Sequence, residues 1–258
     1  MHSSFAVAGI VVIGTAAFTA SDPPYIGQWK ANLDKSDLGQ VTVLYEATPG
    51  GGYKATMDGV SYNFRTDGKD TPTPWGSTAA WSSIDATSWQ VVNRANGKLV
   101  STDTVKVSPD GKTLSVRSTM MKASGETSDN EMTLNRVSGG PGLAGKWQAS
   151  NLQSSSPGSM NIAAKGSDGL TITFVDQNGV CDAKLDGKDV AATGPMWPKG
   201  WTCALSRHGE NAFDLAWKKD GKSMYKYTYT ASADGKTLTE EGGAAAASEK
   251  TKVVFERQ

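Results

Sequence analysis

Beyond an apolar run near its start, the chain is a series of short segments in which apolar and polar side chains alternate with a period of two. Such alternation marks strands with one face in a core and the other in water. Val41, Val43 and Tyr45 share one face of the first clear segment after residue 40. After Gly50-Gly51-Gly52, the next segment puts Tyr53, Ala55 and Met57 on one face, and Asp58-Gly59 turns it. Val60, Tyr62 and Phe64 then alternate with Ser61, Asn63 and Arg65. The same rule predicts strands over Ala80–Asp85, Trp89–Arg94, Leu99–Val107, Thr113–Met121 and Glu131–Val137. Past the apolar run no stretch keeps a 3.6-residue apolar stripe over three turns, so no helix is predicted. Ala244–Ala247 is placed in the last hairpin loop.

The pattern occurs twice. Gly27-Gln28-Trp29-Lys30-Ala31 returns as Gly145-Lys146-Trp147-Gln148-Ala149. Asp67-Gly68-Lys69-Asp70 returns as Asp186-Gly187-Lys188-Asp189, and Asn96-Gly97-Lys98 as Asp220-Gly221-Lys222. Asp110-Gly111-Lys112-Thr113-Leu114 returns as Asp234-Gly235-Lys236-Thr237-Leu238. Several matches in one order, at a spacing of about 120 residues, define a tandem duplication. Leu170, Ile172 and Phe174 stand where Tyr53, Ala55 and Met57 stand in the first copy, and Cys181, Ala183 and Leu185 take the face of Tyr62 and Phe64. Asp-Gly and Asn-Gly pairs between alternating segments are hairpin signals. The Gly-Lys-Ser/Thr triplets at 111, 221 and 235 lack the preceding glycine and following helix of a phosphate-binding loop, and are read as type I′ turns.

Seven to nine evenly spaced strands per copy must close or stack to hide their edges. Hairpin connections throughout favour an up-and-down barrel over a Greek-key sandwich. The predicted fold is all-β, two tandem antiparallel up-and-down β-barrels spanning residues 22–138 and 143–258. The breaker-rich linker Ser138-Gly139-Gly140-Pro141-Gly142 lies between them.

The first copy opens Asp22-Pro23-Pro24-Tyr25-Ile26-Gly27-Gln28-Trp29-Lys30-Ala31-Asn32-Leu33-Asp34-Lys35-Ser36 and carries the DGK-acid, N/DGK and DGKTL turns noted above. In these features the chain resembles a family of small exported bacterial proteins with a lipocalin-like (calycin-like) barrel, a mostly uncharacterised family. The resemblance implies the barrel for nearly all of the chain after residue 21, and a structural role for the Trp of strand one. By fold-level analogy lipocalin-like barrels bind small apolar ligands. The second copy departs in lacking the Asp-Pro lead and in adding two cysteines and the Pro195-Met196-Trp197-Pro198 loop.

The run Phe5–Ala20, ended by Ser21-Asp22-Pro23-Pro24, is short for a spanning helix and reads as a signal peptide over residues 1–20, though no Lys or Arg precedes it; an uncleaved membrane anchor or a buried N-terminal helix is the alternative. Export to a periplasmic or secreted location follows. Cys181 and Cys203 are the two cysteines, and in an exported chain such a pair is expected as a disulfide. Lys plus Arg (26) balances Asp plus Glu (26), which gives no basic footprint for nucleic acid.

Catalytic chemistry has few candidates. His208 lies in a predicted turn and the other histidine, His2, in the leader, so neither a histidine metal site nor a Ser-His-Asp triad is expected. No cofactor is expected. Asp103, on a strand face with Leu99, Val105 and Val107, is the acid singled out, with a solvent-facing strand or local hydrogen bonding as its plainer explanation.

Aromatic residues are the binding candidates. In the first copy they are Tyr53, Tyr62, Phe64, Trp81 and Trp89 inside the barrel and Trp75 in a Pro-flanked loop. In the second they are Phe174, Trp201, Phe213, Tyr225, Tyr227 and Tyr229, with Trp197 in the matching loop. A barrel of about eight strands either fills with side chains or holds one small ligand. The expectation is a monomeric, non-catalytic exported protein binding a small apolar or amphipathic molecule. The alternatives are an envelope-interaction module with filled barrels and, last, a carboxylate-based hydrolase.

Overall fold

The computed structural model describes residues 22–37, 41–57, 59–194, 197–247 and 250–258. The expected leader (1–20), Asp58 of the Asp58-Gly59 turn, and Pro195-Met196 lie outside them. All regular structure is β. The first half contains β1 (Gly27–Asp37), β2 (Thr42–Thr48), β3 (Gly52–Met57), β4 (Val60–Phe64), β5 (Thr71–Pro72), β6 (Thr78–Ser83), β7 (Ser88–Ala95), β8 (Lys98–Val107), β9 (Thr113–Met121) and β10 (Thr127–Ser138). The second half repeats the series as β11 (Gly145–Ser154), β12 (Ser159–Lys165), β13 (Gly169–Phe174), β14 (Gly179–Lys184), β15 (Val190–Ala191), β16 (Trp201–Arg207), β17 (Ala212–Lys219), β18 (Lys222–Ala231), β19 (Thr237–Ala244) and β20 (Thr251–Arg257). No helix among the described residues is long and apolar enough to cross a membrane.

The strands form two ten-stranded antiparallel sheets, each nearly closed into a barrel. The first strands of the two halves are exchanged. One sheet runs β4-β3-β2-β11-β10-β9-β8-β7-β6-β5 and is here barrel I; the other runs β14-β13-β12-β1-β20-β19-β18-β17-β16-β15 and is barrel II. Barrel I is therefore one continuous segment, β2 to β11, set between the first strand of barrel II and the rest of it. In β11, Trp147 pairs with Arg136 on one side and Val43 on the other. In β1, Trp29 pairs with Arg257 and Met160. This departs from a contiguous division into 22–138 and 143–258, because each Trp strand completes the sheet of the other half.

The Gly-x-Trp motif closes one end of each barrel. Trp29 and Trp147 are fully buried, and each indole N–H donates to the carbonyl four residues earlier, Tyr25 and Leu143, at 2.9 Å. Arg257 lies over the Trp29 ring at 4.4 Å and Arg136 over the Trp147 ring at 3.9 Å. Arg257 also donates to the carbonyls of Gly235, Ile26 and Pro24, and Arg136 to those of Gly111, Gly140, Gly142 and Ala144. A guanidinium fork thus satisfies several backbone carbonyls and stacks on the indole at once. The motif's glycine follows: Gly27 and Gly145 sit at φ 154° and 147°, and a Cβ there would strike the Arg257 and Arg136 guanidinium groups.

Turn chemistry divides into two types. Asn96-Gly97 and Asp220-Gly221 have both residues at positive φ, the type I′ geometry. At Gly111 and Gly235 the preceding aspartate is not at positive φ, which corrects the type I′ reading there. Asp110 and Asp234 instead accept the backbone N–H of Lys112 and Lys236 at 3.1 Å, and Ser108 and Ser232 donate their hydroxyls to the same carboxylates at 2.6 Å. These are longer loops with glycine at the left-handed position.

The last seam of each barrel is closed differently. In barrel II, Cys181 of β14, one end of the sheet order, and Cys203 of β16, next to the other end, form a disulfide beside the isolated bridges Val180–Thr193 and Asp186–Ser206. In barrel I the corresponding space holds aromatic rings: Phe64 stacks on Trp81 at 4.3 Å, and the Trp81 indole N–H donates to the Tyr62 hydroxyl at 3.3 Å. Both cysteines are fully buried. The unreduced protein is expected to give no titratable thiol. Cys181→Ala/Cys203→Ala is expected to lose about 2–4 kcal/mol in urea unfolding, the usual worth of a bridge closing a loop of this size; an unchanged midpoint would contradict the staple.

Candidate functional site

The Trp-closed ends of the barrels point away from each other, and the open mouths meet. On the barrel I side the contacts include Gly59 and Val60, the β5–β6 loop, and the β7–β8 and β9–β10 turns. Trp75 reaches across: its indole N–H donates to the Tyr225 hydroxyl at 2.9 Å, and its carbonyl accepts from the Trp201 indole at 2.8 Å. Gly76 (φ 82°) allows this approach, since a Cβ would come within 2.7 Å of the Lys219 side chain and 3.2 Å of Pro198. Asn96, in its type I′ turn, donates to the Trp197 carbonyl at 2.8 Å. On another side, Lys122 pairs with Asp176 at 3.3 Å with both side chains largely buried, and the Ala123 N–H donates to the Asp176 carbonyl.

Between the mouths lies a cavity of about 550 Å³, within the usual range for a small-molecule site. Barrel II supplies most of its wall. Phe174, Trp197 and Trp217 pack together with ring centroids 5.0–5.8 Å apart. Trp201, Tyr225 and Tyr227 continue the lining as near-parallel rings spaced 6.2 Å from each neighbour. Deeper in, the Tyr229 hydroxyl donates to the Glu240 carboxylate. Barrel I contributes Trp75 and Ser77 from its loop, and Asn93, Ala95, Val100 and Ser101 from β7 and β8. The Trp197 indole N–H is buried without an acceptor among the described residues. A second pocket of about 390 Å³ lies beside it, bordered by Met120, Met121, Met132 and Leu152 of barrel I and by Leu33, Asp176 and Gln177 of barrel II, and shares Gln177 with the first.

The structure thus brings seven sequence-predicted aromatics to one cavity: Trp75, Phe174, Trp197, Trp201, Tyr225, Tyr227 and Tyr229. The others do not border it. Phe64, Trp81 and Trp89 are buried in the core of barrel I, with Tyr53 and Tyr62 packed against them. Phe213 is fully buried in barrel II, stacked on Tyr229 at 4.9 Å. Barrel I is filled by aromatic rings where barrel II opens into a pocket.

Trp217 and Glu240 escaped the sequence reading. Trp217 continues the inward alternation Phe213-x-Leu215-x-Trp217, a signal that was present. Glu240 lies two residues after the inward-facing Leu238 and corresponds to Val116 of the first copy by the DGKTL register. In sequence it reads as one of two solvent acids, Glu240-Glu241, and only strand parity separates them. Glu241 faces outward to Lys252 at 3.7 Å.

Asp103 also points inward, between Asn93, which donates to it at 2.7 Å, and the hydroxyls of Ser101 and Ser118. The structure replaces the solvent-facing strand with a barrel interior and keeps local hydrogen bonding as the explanation of this acid. Desolvation raises the pKa of both Asp103 and Glu240, opposed by hydrogen bonds from Ser118, Ser101 and Asn93 to the first and from Tyr229 to the second. Burial raises the phenols of Tyr45, Tyr62 and Tyr229, and the neighbouring carboxylate adds to the effect in each. His208 is exposed in the β16–β17 turn with its Nδ1 3.3 Å from Asp214. No group of three or more His, Cys, Asp or Glu among the described residues could hold a metal ion.

No family model, curated protein or solved structure matches the chain.

An acid whose folded pKa is raised contributes stability that is fully present below its unfolded pKa, about 4, and lost as pH rises through the folded value. Asp103→Asn removes that loss while keeping an oxygen for Asn93. Thermal unfolding should therefore place the variant above the parent near neutral pH, with the difference shrinking as pH falls toward about 4. A variant less stable at neutral pH by the same margin as at low pH would contradict this.

Proposed function

We propose that the chain is an exported, non-catalytic protein of lipocalin-like fold that binds a small apolar or amphipathic molecule between its two barrel mouths. The observation that carries the reading is the aromatic-lined cavity of about 550 Å³ bounded by both barrels. Its wall is rigid, made of rings packed on one another and fixed across the junction by the Trp75–Tyr225 and Trp201–Trp75 hydrogen bonds. Pre-organised aromatic walls bind apolar bodies with little ordering cost. Among the described residues bordering the cavity, Glu240 is the single carboxylate, whereas carboxylate hydrolysis calls for two acids flanking the substrate. The buried disulfide fits an oxidising compartment, and the apolar run at residues 5–20 fits export.

The interaction-module reading has weaker support. The large exposed apolar side chains, Val41, Ile84, Leu99, Val137 and Val175, lie on five different strands or connections.

Binding is tested with the neutral fluorophore N-phenyl-1-naphthylamine. Saturable enhancement at one site is expected, and Trp75→Ala should weaken it about tenfold by removing one aromatic wall and the junction hydrogen bond. Ile84→Ala, at the far end of barrel I, should leave it unchanged. Enhancement that never saturates, or that ignores Trp75→Ala, would count against the cavity as the site.

A further inference from the structure

We propose that the ligand of the inter-barrel cavity is an organic cation, an amine or quaternary ammonium on an apolar or aromatic body, with its charge held at Glu240 and against the faces of Trp201, Tyr225 and Tyr227. This rests on the reading of the cavity as a binding site and adds the chemical class.

The first ground is charge. Among the described residues bordering the cavity, Glu240 alone carries a formal charge, and none is Lys, Arg or His. Glu240 forms no ion pair among the described residues; its partner is the Tyr229 hydroxyl. Its outward neighbour Glu241 has Lys252, and the similarly inset Asp214 has His208 and Lys226. Those two carboxylates of barrel II have cations, and the one facing the cavity does not. An ionised carboxylate in a desolvated site is costly unless a cation compensates it, and an incoming ammonium group would do so.

The second ground is the wall. Trp201, Tyr225 and Tyr227 form a row of parallel π-faces, and such faces carry negative potential that attracts ammonium groups. The neutral barrel I wall does not offset this. Asn93 and Ser101 border the cavity, and immediately behind them lies Asp103, likewise without an ion pair among the described residues. The cavity thus has an acid on two sides. A fatty acid or other anionic amphiphile would bring like charge toward Glu240 with no base to receive it.

The duplication sharpens the point. In the common register Glu240 corresponds to Val116, and Asp103 to Tyr227. Each barrel has placed a carboxylate inside where its twin has an uncharged residue, so neither acid is a requirement of the barrel fold.

The test compares three probes of similar shape by calorimetry: 4-phenylbutyl-trimethylammonium, 4-phenylbutanol and 4-phenylbutyrate. The cation should bind at least about tenfold more tightly than the alcohol, with the carboxylate weakest. Glu240→Gln should remove the difference between cation and alcohol. This ranking is read on the unaltered protein, so it stands even if the variant fails to fold. If the alcohol and the neutral naphthylamine bind while the cation gains nothing, or if Glu240→Gln folds and keeps the cation's advantage, the cation assignment is overturned and the cavity reading survives. If no probe, charged or neutral, binds saturably, both fall.

Discussion

A closed antiparallel sheet has no spare edge, so the strand that completes it must meet a partner on each side with every backbone group paired. In this chain that strand carries Trp29 or Trp147, and in each case it comes from the other half. The guanidinium of Arg257 or Arg136 lies over the indole, so each barrel's closed end consists of one Trp, one Arg and the carbonyls that the Arg collects. For barrel II this joins the first described strand to the last. The two exchanged strands run from the closed ends toward the mouths, and Leu33, Asp37 and Val41 border one pocket with Ala149 and Leu152. The exchange ties the two barrels together, and the cavity lies between them.

The two halves have then diverged in what fills them. Barrel I closes its seam with Phe64, Trp81 and Tyr62, large rings that occupy the interior. Barrel II closes the same seam with Cys181–Cys203. A bridge between two small side chains closes the sheet without filling it, which leaves room toward the mouth for Phe174, Trp197, Trp201 and Trp217 to line a wall. In the second half a covalent bond stands at the seam that packed aromatics occupy in the first.

Much of this was legible in the sequence. Strand positions followed from period-two alternation, and the duplication from the DGK turns, because both depend on local chemistry. The cysteine pair and the Trp75 and Trp197 loops marked where the copies differ, and those loops do meet at the junction. The exchange was not legible. Gly27-Gln28-Trp29 and Gly145-Lys146-Trp147 present the same glycine and indole to the same kind of arginine, so either strand suits either sheet. Only the path of the connecting segments decides, and that is a tertiary property. Glu240 was missed for a related reason: its identity says solvent, and its inward placement depends on the parity of β19 relative to Leu238. The type I′ reading failed at Gly111 and Gly235 because side chains of Ser108, Asp110, Ser232 and Asp234 organise those loops.

The central claim is that β1 belongs to barrel II. Lys30 pairs with Glu256 in this arrangement, whereas a contiguous first barrel would put Lys30 opposite Asn135, the residue that here faces Gln148. Paired cysteines at these surface positions decide the matter under mild oxidation, since the native cysteines are already bonded to each other. The exchange predicts rapid, near-complete intramolecular crosslinking for Lys30→Cys/Glu256→Cys and none for Lys30→Cys/Asn135→Cys. The reverse pattern would contradict it.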